Sequence, residues 1–274
     1  MIALTTQSFG KRSTKTQIKA PKLKVLSVNA DAKTSKGSKL NYLTAILYLA
    51  PANEAKRGNL CPHASDGCKE ACLFTAGRGK FSNVRQARIN KTLRWFDDRR
   101  AFIADICRDI AKLKDFCKKH GFKPAVRLNG TSDIAWENVI HPDHGCSIIE
   151  LFNDVQFYDY TKNPQRAIKA AQGLLPSNYS LTFSRSESNE RHVMKVLRAG
   201  GNVAVVYSKN IFDSLKTYWD QAKQILAFER NSILDKEIFN GDETDLRFLD
   251  PENVIVALRA KGDANNDQSG FVIN

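Results

Sequence analysis

Apolar positions along this chain fall into short continuous runs, separated by stretches in which they recur with helical spacing. The first run, Tyr42 to Leu49, is closed by Ala50-Pro51 and reads as a buried strand. Further strand-sized runs lie at Ala125–Leu128, Val155–Tyr160, Ser180–Ser184, Val203–Tyr207 and Val254–Ala260. Between the first two runs, Ser82 is placed to N-cap a helix reaching about Phe96. A second helix is predicted from about Arg100 to His120. There Phe102, Ile103, Ile106, Ile110, Leu113 and Cys117 form one apolar stripe, and Gly121 supplies the stop. Helical stretches at Ile148–Phe152, Gln165–Gly173 and Asn189–Ala199 separate later runs, and Ile211–Asp213 reads as a short turn. Trp219 to Asp250 has no regular pattern and predicts excursions packed on the body of the fold.

Continuous apolar strands alternating with helices predict an α/β protein with a parallel sheet. Six strands are too few for a closed eightfold barrel, which leaves an open, partial (β/α)6 TIM-like barrel or a doubly wound sheet. A single domain over residues 41–274 fits the length of 274. Its composition, 42% hydrophobic and 26% charged, is that of a globular protein and excludes a largely disordered chain. No apolar run reaches membrane-spanning length and the first residues lack a signal-peptide pattern, so the expectation is a cytoplasmic protein with no membrane partner.

Charge changes this picture at one end. Residues 1–40 hold nine bases and one acid, which is +8 of the chain's +13. Such an arm is either an electrostatic footprint for nucleic-acid phosphates or a solvated leader.

Six cysteines in a cytoplasmic chain argue against a disulfide framework, and three fall within twelve residues: Cys61-Pro62-His63-Ala64-Ser65-Asp66-Gly67-Cys68-Lys69-Glu70-Ala71-Cys72. Thiolates this close repel one another unless a metal neutralises them. Cys68 and Cys72 are one helical turn apart, and Asp66-Gly67 supplies a turn that returns Cys61 to them. Three thiolates suit a [4Fe-4S] cluster with one open iron, and zinc with His63 as fourth ligand is the rival. Cys107 and Cys117 read as small core residues, and Cys146 as a possible further ligand. His141 and His144 read as surface residues.

Sites in parallel α/β folds form where the carboxyl ends of the strands meet. The first strand runs into the cysteine loop, and the others end in polar, basic sequences. From these ends and the Gly77-Arg78-Gly79-Lys80 turn, the residues expected to line a net basic mouth are Arg78, Arg85, Arg127, Asn129, Lys162, Ser184, Arg185 and Lys261. Such a mouth suits an anionic small molecule. Asp133, Tyr158 and Tyr160 are the candidates for orientation or proton transfer.

The cysteine loop, Gly77-x-Gly79, Val84-Arg85-Gln86-Ala87-Arg88, Val126 to Asn129 with Ser132-Asp133, Phe157 to Pro164 and Leu258 to Gly262 together resemble a family of bacteriophage proteins labelled gene-product-88-like, over roughly residues 30–270. That resemblance implies a phage-encoded protein of the host cytoplasm and no particular activity. The chain also resembles, more loosely, the radical S-adenosylmethionine enzymes, which place three cluster-ligating cysteines after the first strand of a partial barrel. This likeness implies cluster ligation by Cys61, Cys68 and Cys72 only. The intervals of six and three residues, against three and two in that family, and the lack of a Gly-Gly-Glu after the second strand, leave S-adenosylmethionine itself outside it. The expectation is therefore an iron–sulfur protein, with redox or radical chemistry at the open iron if it is an enzyme. The alternative is a zinc-stabilised phage protein that binds nucleic acid through its basic arm.

Overall fold

The computed structural model describes residues 20–28, 37–222 and 236–274. Most of the basic arm and part of the irregular Trp219 to Asp250 stretch lie outside these residues. Eight strands form one open sheet: β1 (Ser27–Val28), β2 (Tyr42–Ile46), β3 (Lys123–Arg127), β4 (Gln156–Thr161), β5 (Tyr179–Ser184), β6 (Val203–Tyr207), β7 (Ile238–Asn240) and β8 (Ile255–Arg259). The order across the sheet is β1-β2-β3-β4-β5-β6-β8-β7, and every pair is parallel except β1 with β2. The six strands expected from the apolar runs are β2 to β6 and β8, and they stand side by side in chain order. The two edge strands, β1 and β7, are two and three residues long, too short to leave a periodic signal.

The helices are α1 (Asp66–Glu70), α2 (Ser82–Asp97), α3 (Arg99–His120), α4 (Ile148–Leu151), α5 (Pro164–Ala171), α6 (Glu190–Arg198) and α7 (Lys209–Ala222). On α3 the expected stripe is buried from Phe102 to Cys117, and Gly121 ends the helix at φ 73°, a left-handed conformation that suits glycine. Asp98 caps its start, accepting from the Ala101 N–H. Two expectations differ from the structure. Ser82 is the first residue of α2 rather than its cap, since Phe81 takes that place without a side-chain bond. Ile211–Asp213 belongs to the 14-residue α7 rather than to a turn, because Phe212, Leu215 and Trp219 pack at helical spacing against the sheet.

Strand alternation assigns the two faces of the sheet. Leu43, Ala45, Val126, Phe157, Tyr179, Leu181, Phe183, Val203, Val205, Ile255 and Ala257 share one face, where they pack against α3, α5, α6 and α7. The opposite face carries Ala125 and Tyr158, and it is covered by Leu246 and Phe248 from the irregular stretch. Helices on one face and strands in chain order are not the doubly wound arrangement, which needs helices on both faces. The sheet does not close on itself.

Buried carboxylates on α3 tie the chain's start to this body. Asp109 accepts from the backbone N–H groups of Lys24, Val25 and Leu26 at 2.9, 2.7 and 3.0 Å. Asp105, fully buried, is surrounded by Lys24, Arg94 and Arg108. These contacts position β1 against β2.

Candidate functional site

The carboxyl ends of β2 to β5 converge beside the cysteine loop. The chain leaves β2 through Leu47 to Ala50, where the Thr92 hydroxyl accepts from the Ala50 N–H at 2.8 Å. Two bonds draw the loop onto the end of β3: Thr131 donates to the Leu49 carbonyl, and the Asp133 N–H to the Leu60 carbonyl, at 2.5 and 2.8 Å. Gly130 permits the approach, since a Cβ there would lie 2.8 Å from the Leu47 carbonyl oxygen and 2.7 Å from Ile46. A third anchor comes from β5. Glu187 accepts from Ser65 Oγ at 2.8 Å and from the Gly67 N–H at 2.9 Å, clamping the first turn of α1. Gly67 is itself pressed against Ser269, which leaves no room for a side chain.

This scaffold brings the three cysteines together. Cys61 Sγ lies 3.8 Å from the Thr131 carbonyl, Cys68 stands on α1, and Cys72 Sγ accepts from the Phe74 N–H at 3.4 Å. All three are half-buried and none is in a disulfide. Burial pushes the Cys61 thiol up to about 12, and the neighbouring Cys72, Asp133 and Cys68 push the same way. Burial also raises Cys68 and Cys72, opposed by Lys162 at Cys68 and by the Phe74 N–H and Arg88 at Cys72. The three sulfurs thus share one electrostatic environment. Among the described residues, however, no three His, Cys, Asp or Glu side chains are close enough together to grip a single metal ion.

Lys162, just beyond the end of β4, is the cation beside Cys68. Its ammonium donates to Ser184 Oγ at 2.7 Å, to the Ser184 and Arg185 carbonyls at 3.4 Å each, and to Cys68. It also faces the Phe271 ring at 5.1 Å. Burial lowers its pKa, and Cys68 and Asp133 oppose that fall. Asp133 sets the backbone of Lys162, accepting its N–H at 2.9 Å, and is itself paired with Arg166 at 2.6 Å.

Of the residues expected at the mouth, the structure gathers Cys61, Cys68, Cys72, Asp133, Lys162 and Ser184. Arg185 is near the same edge but is engaged with the Gly270 and Phe271 carbonyls and with Glu190. The others lie elsewhere. Tyr158 and Tyr160 alternate onto the face opposite the helices, where Tyr158 donates to Asp245 at 3.2 Å and Tyr160 lies under the Arg127 guanidinium at 4.8 Å. Arg127 pairs with Asp245 at 3.2 Å on that covered face. Asn129 is 2% exposed, and its amide is consumed by Ser132, Ile134, Trp136 and Asp159. Lys261 is half-exposed and paired with Asp242, and Arg78 and Arg85 stand on the outer surface beyond the loop.

Neighbouring expectations are also corrected. Cys146 lies beside Cys107, away from the cysteine loop. His141 is buried, with Nδ1 accepting from the Asp143 N–H, rather than on the surface. A cavity of about 450 Å³ beside α1 is lined by Glu70, Asp263 and Asp267 with Asn266, Gln268 and Ser269, none of them among the residues expected at the mouth. Sequence reasoning missed Glu187, Arg166 and Phe271. Glu187 stands in a polar run beyond the end of β5 and Arg166 in the first turns of α5, but nothing in the sequence there says which side chains turn inward.

The molecule is a mixed α/β protein whose described residues form an open, mostly parallel eight-stranded sheet. The chain belongs to the Gene product 88 family, a phage-derived family whose profile matches residues 21–274. No curated protein and no solved structure matches it. The likeness to radical S-adenosylmethionine enzymes gains no support from these comparisons. Among the described residues no helix is long and apolar enough to cross a membrane.

Proposed function

We propose that Cys61, Cys68 and Cys72 hold a [4Fe-4S] cluster at the edge of a partial (β/α)6 barrel, in a phage protein working in the host cytoplasm. The carrying observation is the gathering of three thiols from one twelve-residue loop, none of them in a disulfide, with the buried ammonium of Lys162 beside Cys68 and Arg88 beside Cys72. Their spacing bears on which metal fits. Tetrahedral zinc at about 2.3 Å from each thiolate needs sulfurs about 3.8 Å apart. In a cubane each ligand sulfur binds a different iron, so the sulfurs stand further apart. His63, the fourth ligand a zinc site would draw on, is exposed.

Bound there, the cluster would supply one-electron chemistry at its open iron, on an anionic small molecule. The protein's own contribution is positional and electrostatic. Glu187 and Asp133 hold the loop and Lys162 in place, and Lys162 supplies positive charge beside Cys68. Chain order of the parallel strands, with helices on one face only, supports the partial-barrel description.

The test is iron, zinc and acid-labile sulfide content of protein purified without oxygen, together with its visible spectrum. About four irons and four sulfides per chain with broad brown absorption are expected, and Cys68→Ser is expected to lose both while remaining folded. One zinc per chain in a colourless sample, or metal content unchanged in Cys68→Ser, overturns the reading.

A further inference from the structure

Residues 71–96 hold six bases, Arg78, Lys80, Arg85, Arg88, Lys91 and Arg94, and no acid. The fold sorts them into two groups. Three turn inward: Arg88 lies over the Tyr48 ring at 4.7 Å, Lys91 donates to the Val25 carbonyl at 3.2 Å, and Arg94 pairs with buried Asp105. The other three stay outside. Arg78 and Lys80 are exposed and, among the described residues, neither is in an ion pair. Arg85 meets Glu54 only at 3.8 Å, with both side chains nearly half open to water, a geometry that contributes little.

Two large apolar side chains stand among these cations. Phe81 is 61% exposed and Leu73 52%. Phe81 leads into α2, and the Arg85 N–H bonds its carbonyl at 3.0 Å, so the two residues stand one turn apart, with the Arg85 guanidinium over the Phe74 ring at 5.3 Å. The turn Gly77–Lys80 is held down at Gly79, where a Cβ would lie 2.2 Å from the Phe74 carbonyl oxygen. With Gly79 buried there, Arg78 and Lys80 on either side of it point to solvent. The first turn of α2 also carries no acid, which leaves no negative charge at its positive dipole end.

We infer that this edge binds single-stranded nucleic acid, with Phe81 stacking on a base while Arg78, Lys80 and Arg85 take the flanking phosphates. An exposed aromatic ring amid exposed cations is the arrangement such strands use, because a base offers a flat apolar face beside each negative charge. A duplex hides those faces and leaves Phe81 without a partner. Two apolar side chains are too few for a lipid surface, where affinity scales with buried apolar area. The net charge of +13 favours encounter with a polyanion. This surface is distinct from the basic arm at residues 1–40, and the inference is independent of the cluster.

The experiment is fluorescence anisotropy of the full chain with labelled 20-nucleotide single-stranded DNA and RNA, duplex DNA, and vesicles containing anionic lipid, at several salt concentrations. Single strands are expected to bind best. Phe81→Ala, at an exposed position that folding does not need, is expected to weaken them about tenfold. Arg78→Ala with Lys80→Ala is expected to lower the salt slope by about 1.4. The full chain retains its basic arm in every variant, so a general charge effect cancels in the comparison. Unchanged affinity in Phe81→Ala, preference for vesicles or duplex, or no binding at low salt overturns the inference.

Discussion

Arg166 is the side chain whose removal tests how the site is built. It sits on α5, 7% exposed, and fills every position around its guanidinium. Nε and Nη2 bond both oxygens of Glu137 at 2.6 and 2.9 Å. Nη1 bonds Asp133 at 2.6 Å and Thr161 Oγ1 at 3.2 Å, and Nη2 also reaches Tyr179 OH at 3.1 Å. The Glu137 and Asp133 side chains are 7% and 10% exposed. Arg166→Met keeps the bulk of the side chain but strands two buried carboxylates with no cation between them, which costs about 3–5 kcal/mol. With an m-value of about 3 kcal/mol/M, the urea midpoint is expected to fall by about 1–1.7 M. The variant has a second signature. Unpaired carboxylates in a buried setting hold protons more tightly folded than unfolded, so the deficit is expected to shrink as pH falls from 7.5 to 5.5. Urea unfolding followed by circular dichroism at both pH values reads both effects. A loss below about 1 kcal/mol, or a deficit that does not change with pH, refutes the assignment of Arg166 as the counter-charge that sets Asp133 and, through it, Lys162.

Two further outcomes follow from buried positions. Burial pushes the Asp159 carboxyl up to about 7, with Arg127 and the Asn129 N–H opposing it. An unfolded aspartate titrates near 3.9, so its charging costs the folded state about 4 kcal/mol, absent below pH 4 and complete above pH 7. The native chain should therefore lose stability from pH 5.5 to pH 8 more steeply than Asp159→Asn, and equal slopes would contradict this account. Gly130→Ala must displace the Leu47 carbonyl and Ile46 at the end of β2, at about 1–3 kcal/mol. A melting temperature unchanged from the native protein would show that the approach of β3 to the cysteine loop is looser than described.

How much of this molecule is legible in its sequence depends on the range of the interaction. The six central strands and the long helix α3 follow from periodicity alone, because a strand or helix declares its buried face within a few residues. The helix α7 was hidden, since Ile211–Asp213 is followed by Ser214, Lys216, Thr217 and Asp220, and its apolar side becomes visible only over fourteen residues. Edge strands of two or three residues carry no period at all.

The candidate site divides the same way. Cysteine spacing within twelve residues and the placement of that loop after a strand are local properties, and the sequence determined them by itself. Which polar strand-end residues meet the loop was decided by tertiary structure. Tyr158, Tyr160 and Lys162 are two residues apart in turn, yet Tyr158 is sealed by Asp245, Leu246 and Phe248 and Tyr160 lies under Arg127, while Lys162, beyond the last residue of β4, reaches Cys68. Arg166 finds Asp133 and Glu137 across about thirty residues, and Glu187 finds Gly67 across 120. A buried charge needs a partner of opposite sign, and in a parallel sheet that partner comes from a neighbouring strand end, at a sequence distance set by the intervening helix.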